Sequence, residues 1–330
     1  MAVMLAVAGC SAPTGPPLAT EIKILETGPL RIDRIYPSMT GPSQRVAVDM
    51  SGLDWVTSLR TEVVEHRTGE PMGEEFFCHA QFQFPDGYRP MVTATGISDI
   101  RFPEGFAMPL QEMVGVFKQH FDKQGNYPEP LSFFGMLLNN HEPDLDVEAR
   151  VRATIGYVRN ENVGSPPRLK RLYRAPMPMT VEDLEAYTPA EETDVATHCV
   201  LVEGQNNHWL VPPGPQTTRK RYSGAKLLVD TRVHYAVVHL HNYGVYMRLT
   251  DTTTGEILWQ TDAVYEPDRK QIIEIPVYSS VEGFPLYVDR EYEIEAFYDN
   301  TTDHDIDAMA MMSLYHHPPV EHEFRPERTE

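Results

Sequence analysis

The sequence has little cysteine and little positive charge. Its 330 residues include three cysteines, and 28 Lys and Arg residues face 48 Asp and Glu residues, for a formal net charge of −20. So acidic a chain has no general electrostatic attraction for nucleic acid or an anionic bilayer, and neither is expected as a partner. Few cysteines also exclude a dense disulfide framework. Cys78 and Cys199 would form one disulfide in an oxidising compartment or remain two separate thiols.

Long apolar runs and common catalytic motifs are also lacking. Beyond the N-terminus no stretch is long and apolar enough to span a bilayer, and no long stretch has a helical period. The sequence has no G-x-S-x-G, no Gly-rich phosphate loop and no paired C-x-x-C. These absences give little support to Ser/His/Asp hydrolase chemistry. A carboxylate-pair hydrolase stays open because acidic residues are abundant.

The N-terminus carries a candidate export signal. The opening MAVMLAVAGC ends in Val-Ala-Gly-Cys and resembles a bacterial lipobox, although the usual basic segment before it is missing. The resemblance implies lipidation of Cys10, with residues 1–20 forming a signal and a tether. It implies an exported periplasmic or outer-membrane lipoprotein whose only membrane contact is this lipid anchor. The alternative is an ordinary N-terminal tail.

The rest of the chain consists of short strand patterns separated by turn residues. They fall into two blocks, residues 21–164 and 193–318, followed by a tail at 319–330. The segment 165–192 is rich in proline and charge and lacks alternation, so we expect it to connect two domains. Regularly spaced short strands in two blocks predict an all-β protein with two tandem antiparallel jelly-roll or β-sandwich domains.

Two histidines in the second block suggest a metal site. His239 and His241 lie in the β-rich run VVHLH, and residues two apart on a strand point to the same face. Imidazole binds copper, zinc, iron and nickel, whereas the thioether of methionine selects copper. Met309 and Met311 follow in a later strand pattern and share a face with each other, so spacing does not choose between them. The alternative to a metal site is that these histidines and methionines are buried residues of the core.

The order of three motifs carries a resemblance to a known family. VPPG at Val211–Gly214, HLHNYG at His239–Gly244 and the segment Asp307–Ala308–Met309 are similar to motifs of the copper type II, ascorbate-dependent monooxygenases. That family includes peptidylglycine α-hydroxylating monooxygenase and dopamine β-hydroxylase. The resemblance covers residues 193–317. It implies that His239, His241 and Met309 bind the catalytic copper, where O2 is activated.

The first block is expected to hold the family's electron-transfer copper. In the family this ion is bound by a His-His pair and a later histidine, and here Cys78–His79 and His141 fall at those places. Cys78 replaces one histidine, so either its thiolate is a ligand or only two histidines remain. His120 would be a substitute ligand or a surface residue. The resemblance thus implies two copper ions, one per domain, and an external reductant such as ascorbate.

Departures from the family pattern limit the substrate. The side chains that grip a substrate carboxylate in the peptide-hydroxylating members are replaced here by Val237, Met311 and Ser313, so a peptide ending in glycine is not expected. The leading hypothesis is a monooxygenase that hydroxylates an aliphatic C–H of an unknown small molecule with O2. The alternatives are a copper-storage or copper-delivery lipoprotein of the same fold without catalysis, and a structural surface protein.

The other histidines of the second block are given structural roles. His208 is expected to be an ordinary residue at a strand end. His234 lies five residues before His239 and is expected on the opposite face of the strand. His316 and His317 end the last strand and are expected to face solvent.

Overall fold

The fold is described from a computed structural model. The structure describes residues 18–36, 40–84, 88–115, 131–140, 142–165, 167–180, 208–267 and 271–318. It is built almost entirely of antiparallel strands, so the predicted all-β class and the jelly-roll sandwich architecture are confirmed.

The first half of the chain is a two-sheet sandwich. Its strands are β1 (Glu21–Glu26), β2 (Leu30–Ile32), β3 (Ser43–Ala47), β4 (Trp55–Glu65), β5 (Phe77–Gln83), β6 (Val92–Ala94), β7 (Asp99–Arg101), β8 (Phe106–Ala107), β9 (Ser132–Leu137) and β10 (Val147–Val158). One sheet has the order β1-β10-β4-β7, with β2 also paired to β10, and the other has the order β3-β9-β5-β6. The side chains between them form the core of this half, which includes Leu59, Phe82, Phe133 and Val151.

The second half is another sandwich. Its strands are β11 (Lys170–Arg171), β12 (Tyr173–Pro178), β13 (His208–Val211), β14 (Gly214–Ser223), β15 (Thr231–Leu240), β16 (Gly244–Asp251), β17 (Glu256–Asp262), β18 (Val264–Tyr265), β19 (Ile272–Glu274), β20 (Tyr278–Leu286), β21 (Glu291–Asn300) and β22 (Ile306–His317). The outer sheet has the order β14-β21-β16-β17. The central sheet has the order β12-β22-β15-β20, with β13 also paired to β22.

Minor elements complete the fold. Strands β8 and β11 form a short parallel pair, and β18 and β19 an antiparallel one. Helical segments among the described residues include α1 (Asn160–Val163) and two 3-10 turns, Glu74–Phe76 and Gly224–Lys226. No helix in the described part of the chain has the length and apolarity needed to cross a membrane.

The central sheet is covered on both faces. One face packs on the outer sheet, where the rings of Trp209 and Tyr298 meet with centroids 5.7 Å apart. The other face packs on the first half, where Phe102 contacts Tyr235 and Tyr315 at 5.5 Å and 5.1 Å between ring centroids. A sheet buried on both faces needs apolar residues at successive positions rather than at alternate ones. This explains the nearly continuous apolar run around the two histidines of β15.

Part of the predicted connection, residues 165–192, has strand structure. Strands β11 and β12 lie within it, and β12 pairs with β22, placing Pro176 opposite Ser313 and Pro178 opposite Met311. No strand is predicted in this segment because proline cannot donate a hydrogen bond to a neighbouring strand. β12, however, is an edge strand, where proline is tolerated. Residues 181–192 lie outside the described residues.

Two predictions about histidine orientation are wrong. A register shift between Val233 and Tyr235 breaks the alternation of β15, and His234 stacks on Phe106 of the first half with centroids 4.0 Å apart. An extra residue at a bulge changes the face to which its neighbours point. His316 is also not a solvent-facing residue, because it is partly buried and its Nδ1 lies 3.0 Å from the Thr231 hydroxyl.

Candidate metal centre

The register of two strands brings the predicted ligands to one face. β15 and β22 are antiparallel neighbours in which His239 lies opposite Met311, and the His241 amide donates to the Met309 carbonyl at 3.2 Å. Residues opposite each other, and residues two apart, point to the same face of a sheet. His239, His241 and Met309 therefore share the face of the central sheet that covers the first half.

Two residues that the sequence did not assign to the site join this group. β13 pairs with the other side of β22 and places His208 opposite Met309. Asp307 precedes Met309 by two residues and lies on the same face. The His208 Nδ1 is 2.9 Å from Asp307 Oδ1, and the His241 Nδ1 is 3.1 Å from Asp307 Oδ2. One ligand atom from each of these three residues lies within 4.8 Å of the others, close enough to hold a single metal ion.

The imidazole rings form a compact cluster. His241 lies between the other two rings, with centroids 5.3 Å from His239 and 5.2 Å from His208, and with interplanar angles of 82° and 63°. His208 is only 4% exposed. The Nδ1 of His239 is buried and has no hydrogen-bond partner in the described part of the chain. A buried ring nitrogen without such a partner is costly unless something else satisfies it, and a metal ion would do so.

A tyrosine hydroxyl fixes the backbone under the cluster. Tyr298 on β21 donates to the Met309 carbonyl at 2.6 Å and accepts the His241 amide at 3.2 Å. Burial raises the pKa of Tyr298 well above its ordinary value, which keeps the hydroxyl protonated. The outer sheet thus holds β15 and β22 together at the point where the site is built.

The HLHNYG motif forms a tight turn at the end of β15. Tyr243 has φ of 71°, the left-handed region that non-glycine residues seldom adopt. A Cβ on Gly244 would lie 3.0 Å from the Leu240 Cβ and 3.2 Å from the Tyr298 Cζ, so only glycine fits without displacement. The turn carries the chain from the central sheet to β16 in the outer sheet. The motif therefore fixes where His241 leaves the strand.

The electrostatics of the site favour a charged carboxylate beside a neutral imidazole. Burial alone would raise the pKa of Asp307, but the charge of His241 and hydrogen bonds from His208 and His241 lower it well below its ordinary value. For His239, burial and then the electrostatic interactions with His241, His79 and His208 lower the pKa well below its ordinary value. His239 is therefore neutral at neutral pH, which is the state that binds metal.

One contact distinguishes the two candidate methionines. Nη2 of Arg174 on β12 lies 3.5 Å from the Met311 sulfur, while its Nε donates to the Ser313 hydroxyl at 3.0 Å and its Nη1 to the Arg89 carbonyl at 2.8 Å. The Met311 thioether is thus engaged by a cation. Met309 is 8% exposed and lies between His208 and His241 on the neighbouring strands. Met309 is accordingly the better candidate ligand.

In the first half, the Cys78 and His79 side chains lie together. A register shift between Phe77 and His79 in β5 accompanies a separation of 3.4 Å between the Cys78 sulfur and the His79 Nδ1. Met136 lies opposite His79 on β9, and it forms a small buried cluster with Cys78 and Phe134. Met136 is not recognisable as a neighbour of His79 from local sequence, because its proximity depends on the pairing of β5 with β9.

The two halves are hydrogen-bonded beside the site. The Ile275 amide donates to the Gly96 carbonyl of the first half at 3.2 Å, and within the second half the Asn242 side chain accepts the Ile272 amide at 3.4 Å. His79 is close enough for its charge to lower the pKa of His239. The first-half histidine and the second-half cluster therefore face a common seam.

Several predicted residues lie outside the described part of the chain. They are Cys10, His120, His141 and Cys199. The predictions of lipidation at Cys10 and of a metal ligand at His141 remain predictions.

Comparisons with known proteins give only distant likenesses. No protein-family model matches the chain, and no curated protein matches it. Among solved structures, the STIV MCP has a TM-score of 0.39 and 8% identity over 91% of this chain and 97% of that chain. PBCV-1 VP54, fitted into a reconstruction of the virophage Sputnik, has a TM-score of 0.38 and 6% identity over 92% and 95%.

A third similar structure is PNGase F, a glycosylasparaginase from Flavobacterium meningosepticum. It has a TM-score of 0.38 and 7% identity over 91% of this chain and 97% of that chain. TM-scores below 0.5 indicate a loose likeness, so the function of this chain rests on its own residues.

Proposed function

We propose that the protein is a copper-dependent monooxygenase that hydroxylates an aliphatic C–H of a small molecule with O2 and an external reductant such as ascorbate. The observation that carries the proposal is the placement of His239, His241 and Met309 on one face of the central sheet, through the direct pairing of β15 with β22. Imidazoles and a thioether together are a ligand set that favours copper.

The reaction requires two electrons from the reductant. The C–H compound, O2, two electrons and two protons give the alcohol and water, so an ascorbate-like donor would be oxidised once per turnover. A bound copper ion would supply the one-electron redox chemistry by which O2 is activated. The chain itself supplies a neutral imidazole at His239, a soft sulfur at Met309 and a seam between two packed halves that limits access of water.

Rigid support for the ligands also fits this chemistry. His239 lies within β15, and His241 directly after it is fixed by its own amide through Met309 and Tyr298. Histidines held by a sheet keep their positions when the charge of a metal changes. A preorganised site of this kind avoids reorganisation during the redox cycle.

We propose that Cys78 and His79 hold the second copper, which would deliver one of the two electrons. Their sulfur and nitrogen atoms, 3.4 Å apart, are at about the separation that two ligands of one ion require. The predicted third ligand, His141, is kept as part of this proposal.

The cluster of His208, His241 and Asp307 favours a second candidate function. Two histidines and one carboxylate with open positions are the ligand set of non-haem iron(II) oxygenases. If all three bind the metal, the ligand set would be that of an iron(II) oxygenase rather than that of a copper site with a thioether ligand. The two functions are distinguished by which metal the protein uses and by whether the Met309 sulfur binds it.

The proposal is tested by metal loading followed by an O2 assay. We expect the purified full chain to bind two equivalents of copper, falling to one in His239→Ala and one in His79→Ala, with no change in the exposed control His304→Ala. With ascorbate, the wild type should consume O2 when it is offered small C–H compounds, and both single-site variants should fail at multiple turnover. Copper uptake without O2 consumption would instead identify a storage or delivery protein. O2 consumption that depends on added Fe(II) and not on copper would identify the iron oxygenase.

We further propose that the protein is an exported lipoprotein anchored through Cys10. In a bacterial host, the full chain should partition with the membrane fraction and carry the mass of a lipid at Cys10. Cys10→Ser should be recovered without the lipid and outside the membrane fraction. The same distribution for both proteins would contradict the anchor.

A further inference from the structure

Asp307 bridges two imidazoles with two different oxygen atoms. Its Oδ1 lies 2.9 Å from the His208 Nδ1, and its Oδ2 lies 3.1 Å from the His241 Nδ1. Oδ2 is also 3.2 Å from the His208 Nδ1. The carboxylate is therefore placed to accept one N–H from each ring.

The tautomer of a histidine follows from the bond at its other nitrogen. A neutral imidazole that donates from Nδ1 carries its lone pair on Nε2. In many metal proteins a carboxylate accepts this Nδ1–H and so presents Nε2 to the metal. Asp307 is placed for this role, because its two carboxylate oxygens lie 2.9 Å and 3.1 Å from the Nδ1 atoms of His208 and His241.

The strand order places His208 beside the predicted ligands. β13, β22 and β15 are consecutive neighbours, and Met309 on β22 lies opposite His208 on one side and opposite His241 on the other. His239 adjoins His241 at 5.3 Å between ring centroids. Three imidazoles thus surround one thioether on the same face of the sheet.

We propose that His208 is a third imidazole ligand of this centre, and that Asp307 is a positioning residue that holds His208 and His241 with Nε2 toward the metal. The inference rests on the proposed function, because it assumes that copper binds beside His239 and Met309. In this proposal the Asp307 carboxylate contacts the imidazole rings of His208 and His241. In a two-histidine, one-carboxylate iron site it would contact the metal instead.

Pulsed electron paramagnetic resonance of the Cu(II)-loaded full chain in a Cys78→Ser/His79→Ala background tests the inference, since it counts the imidazoles on one copper. We expect three in this parent protein and two in the same protein with His208→Gln. Asp307→Asn should retain three imidazoles while weakening copper affinity about 10–100-fold, the usual cost of removing such a partner. Asp303→Asn is the matched control, because Asp303 holds the exposed His304 Nδ1 at 3.0 Å, and it should change neither quantity.

The other outcomes of this experiment separate failure of the inference from failure of the proposed function. A count of two in the parent, unchanged by His208→Gln, overturns the inference and leaves the proposed copper function standing. Unchanged affinity in Asp307→Asn also overturns it, as does a carboxylate among the ligands of the parent. Failure of the parent to bind any copper contradicts the proposed function itself. If Asp307→Asn does not fold, as judged by its thermal melt, the count in His208→Gln decides.

Discussion

The His241 amide donates to the Met309 carbonyl at 3.2 Å, so these residues stand opposite each other although 68 positions separate them in the chain. The same carbonyl accepts the Tyr298 hydroxyl at 2.6 Å. One backbone carbonyl thus ties the end of β15, the middle of β22 and the outer sheet together. The candidate centre is built on this junction.

Replacing the two methionines separately should give different results. Met309→Leu removes the thioether between His208 and His241, and we expect Cu(I) affinity to fall at least about tenfold, or ~1.4 kcal/mol. Met311→Leu should have a much smaller effect, because the Met311 sulfur already contacts Arg174. Competition with a Cu(I) chelator measures both. Equal losses in the two variants would contradict the assignment of Met309.

Tyr298→Phe should weaken both stability and metal binding. It leaves the Met309 carbonyl and the His241 amide without this hydroxyl, at a cost of about 1–3 kcal/mol in the free energy of unfolding. Tyr292→Phe is a matched control on the same strand, because the buried Tyr292 hydroxyl likewise bridges the amide and carbonyl of Tyr287 at 2.7 Å and 3.2 Å. Denaturant unfolding should show similar losses for both variants. Copper affinity should fall only in Tyr298→Phe, and an equal fall in both would show that the effect is not local.

Gly244→Ala should disturb the turn between β15 and β16. The added Cβ would meet Leu240, the His241 carbonyl and Tyr298 at 3.0 to 3.2 Å. Overpacking of this kind costs about 1–3 kcal/mol, and here it would also displace His241. Gly115→Ala, where a Cβ meets no atom of the described residues within 4 Å, is the control. Thermal melts and copper titrations should show a loss for position 244 alone, and a Gly244→Ala protein with wild-type copper affinity would contradict the role given to this turn.

Stability should decrease between about pH 6.5 and pH 4 in part because of His316. Burial, followed by the charge of His317, lowers the pKa of His316 from 6.5 to about 4. Between these values the unfolded chain binds more protons than the folded chain, so stability rises with pH. The contribution is fully present above pH 6.5 and is lost as the pH falls toward 4, with an upper size of about 3 kcal/mol.

His316→Asn tests this pH dependence, because its amide can keep the contact with the Thr231 hydroxyl. Free energies of unfolding measured from pH 4 to pH 8 should fall less steeply in the variant than in the wild type. Superimposable curves would show that His316 titrates normally in the folded protein.

Local sequence pattern was sufficient for the fold class and for part of the site. Period-2 geometry alone puts His239 and His241 on one face, and the turn HLHNYG marks where β15 ends. The partners of this pair depend on long-range register, which local pattern does not determine. His208 and Asp307 are 99 positions apart, and only the pairing of β13 with β22 brings them together.

The incorrect expectations also have specific physical causes. The bulge at His234 breaks the alternation on which its predicted orientation depended. The prolines of β12 suggested a connection because local pattern does not reveal that the strand lies at a sheet edge, where proline is allowed.

X-ray absorption of the Cu(I)-loaded chain in a Cys78→Ser/His79→Ala background tests the central claim most directly, because it reports the atoms that touch the metal. We expect imidazole scattering together with one sulfur at about 2.3 Å, the usual metal–sulfur distance. The sulfur should disappear in Met309→Leu and persist in Met311→Leu. Copper surrounded only by nitrogen and oxygen in the parent protein, or no bound copper, would contradict the account.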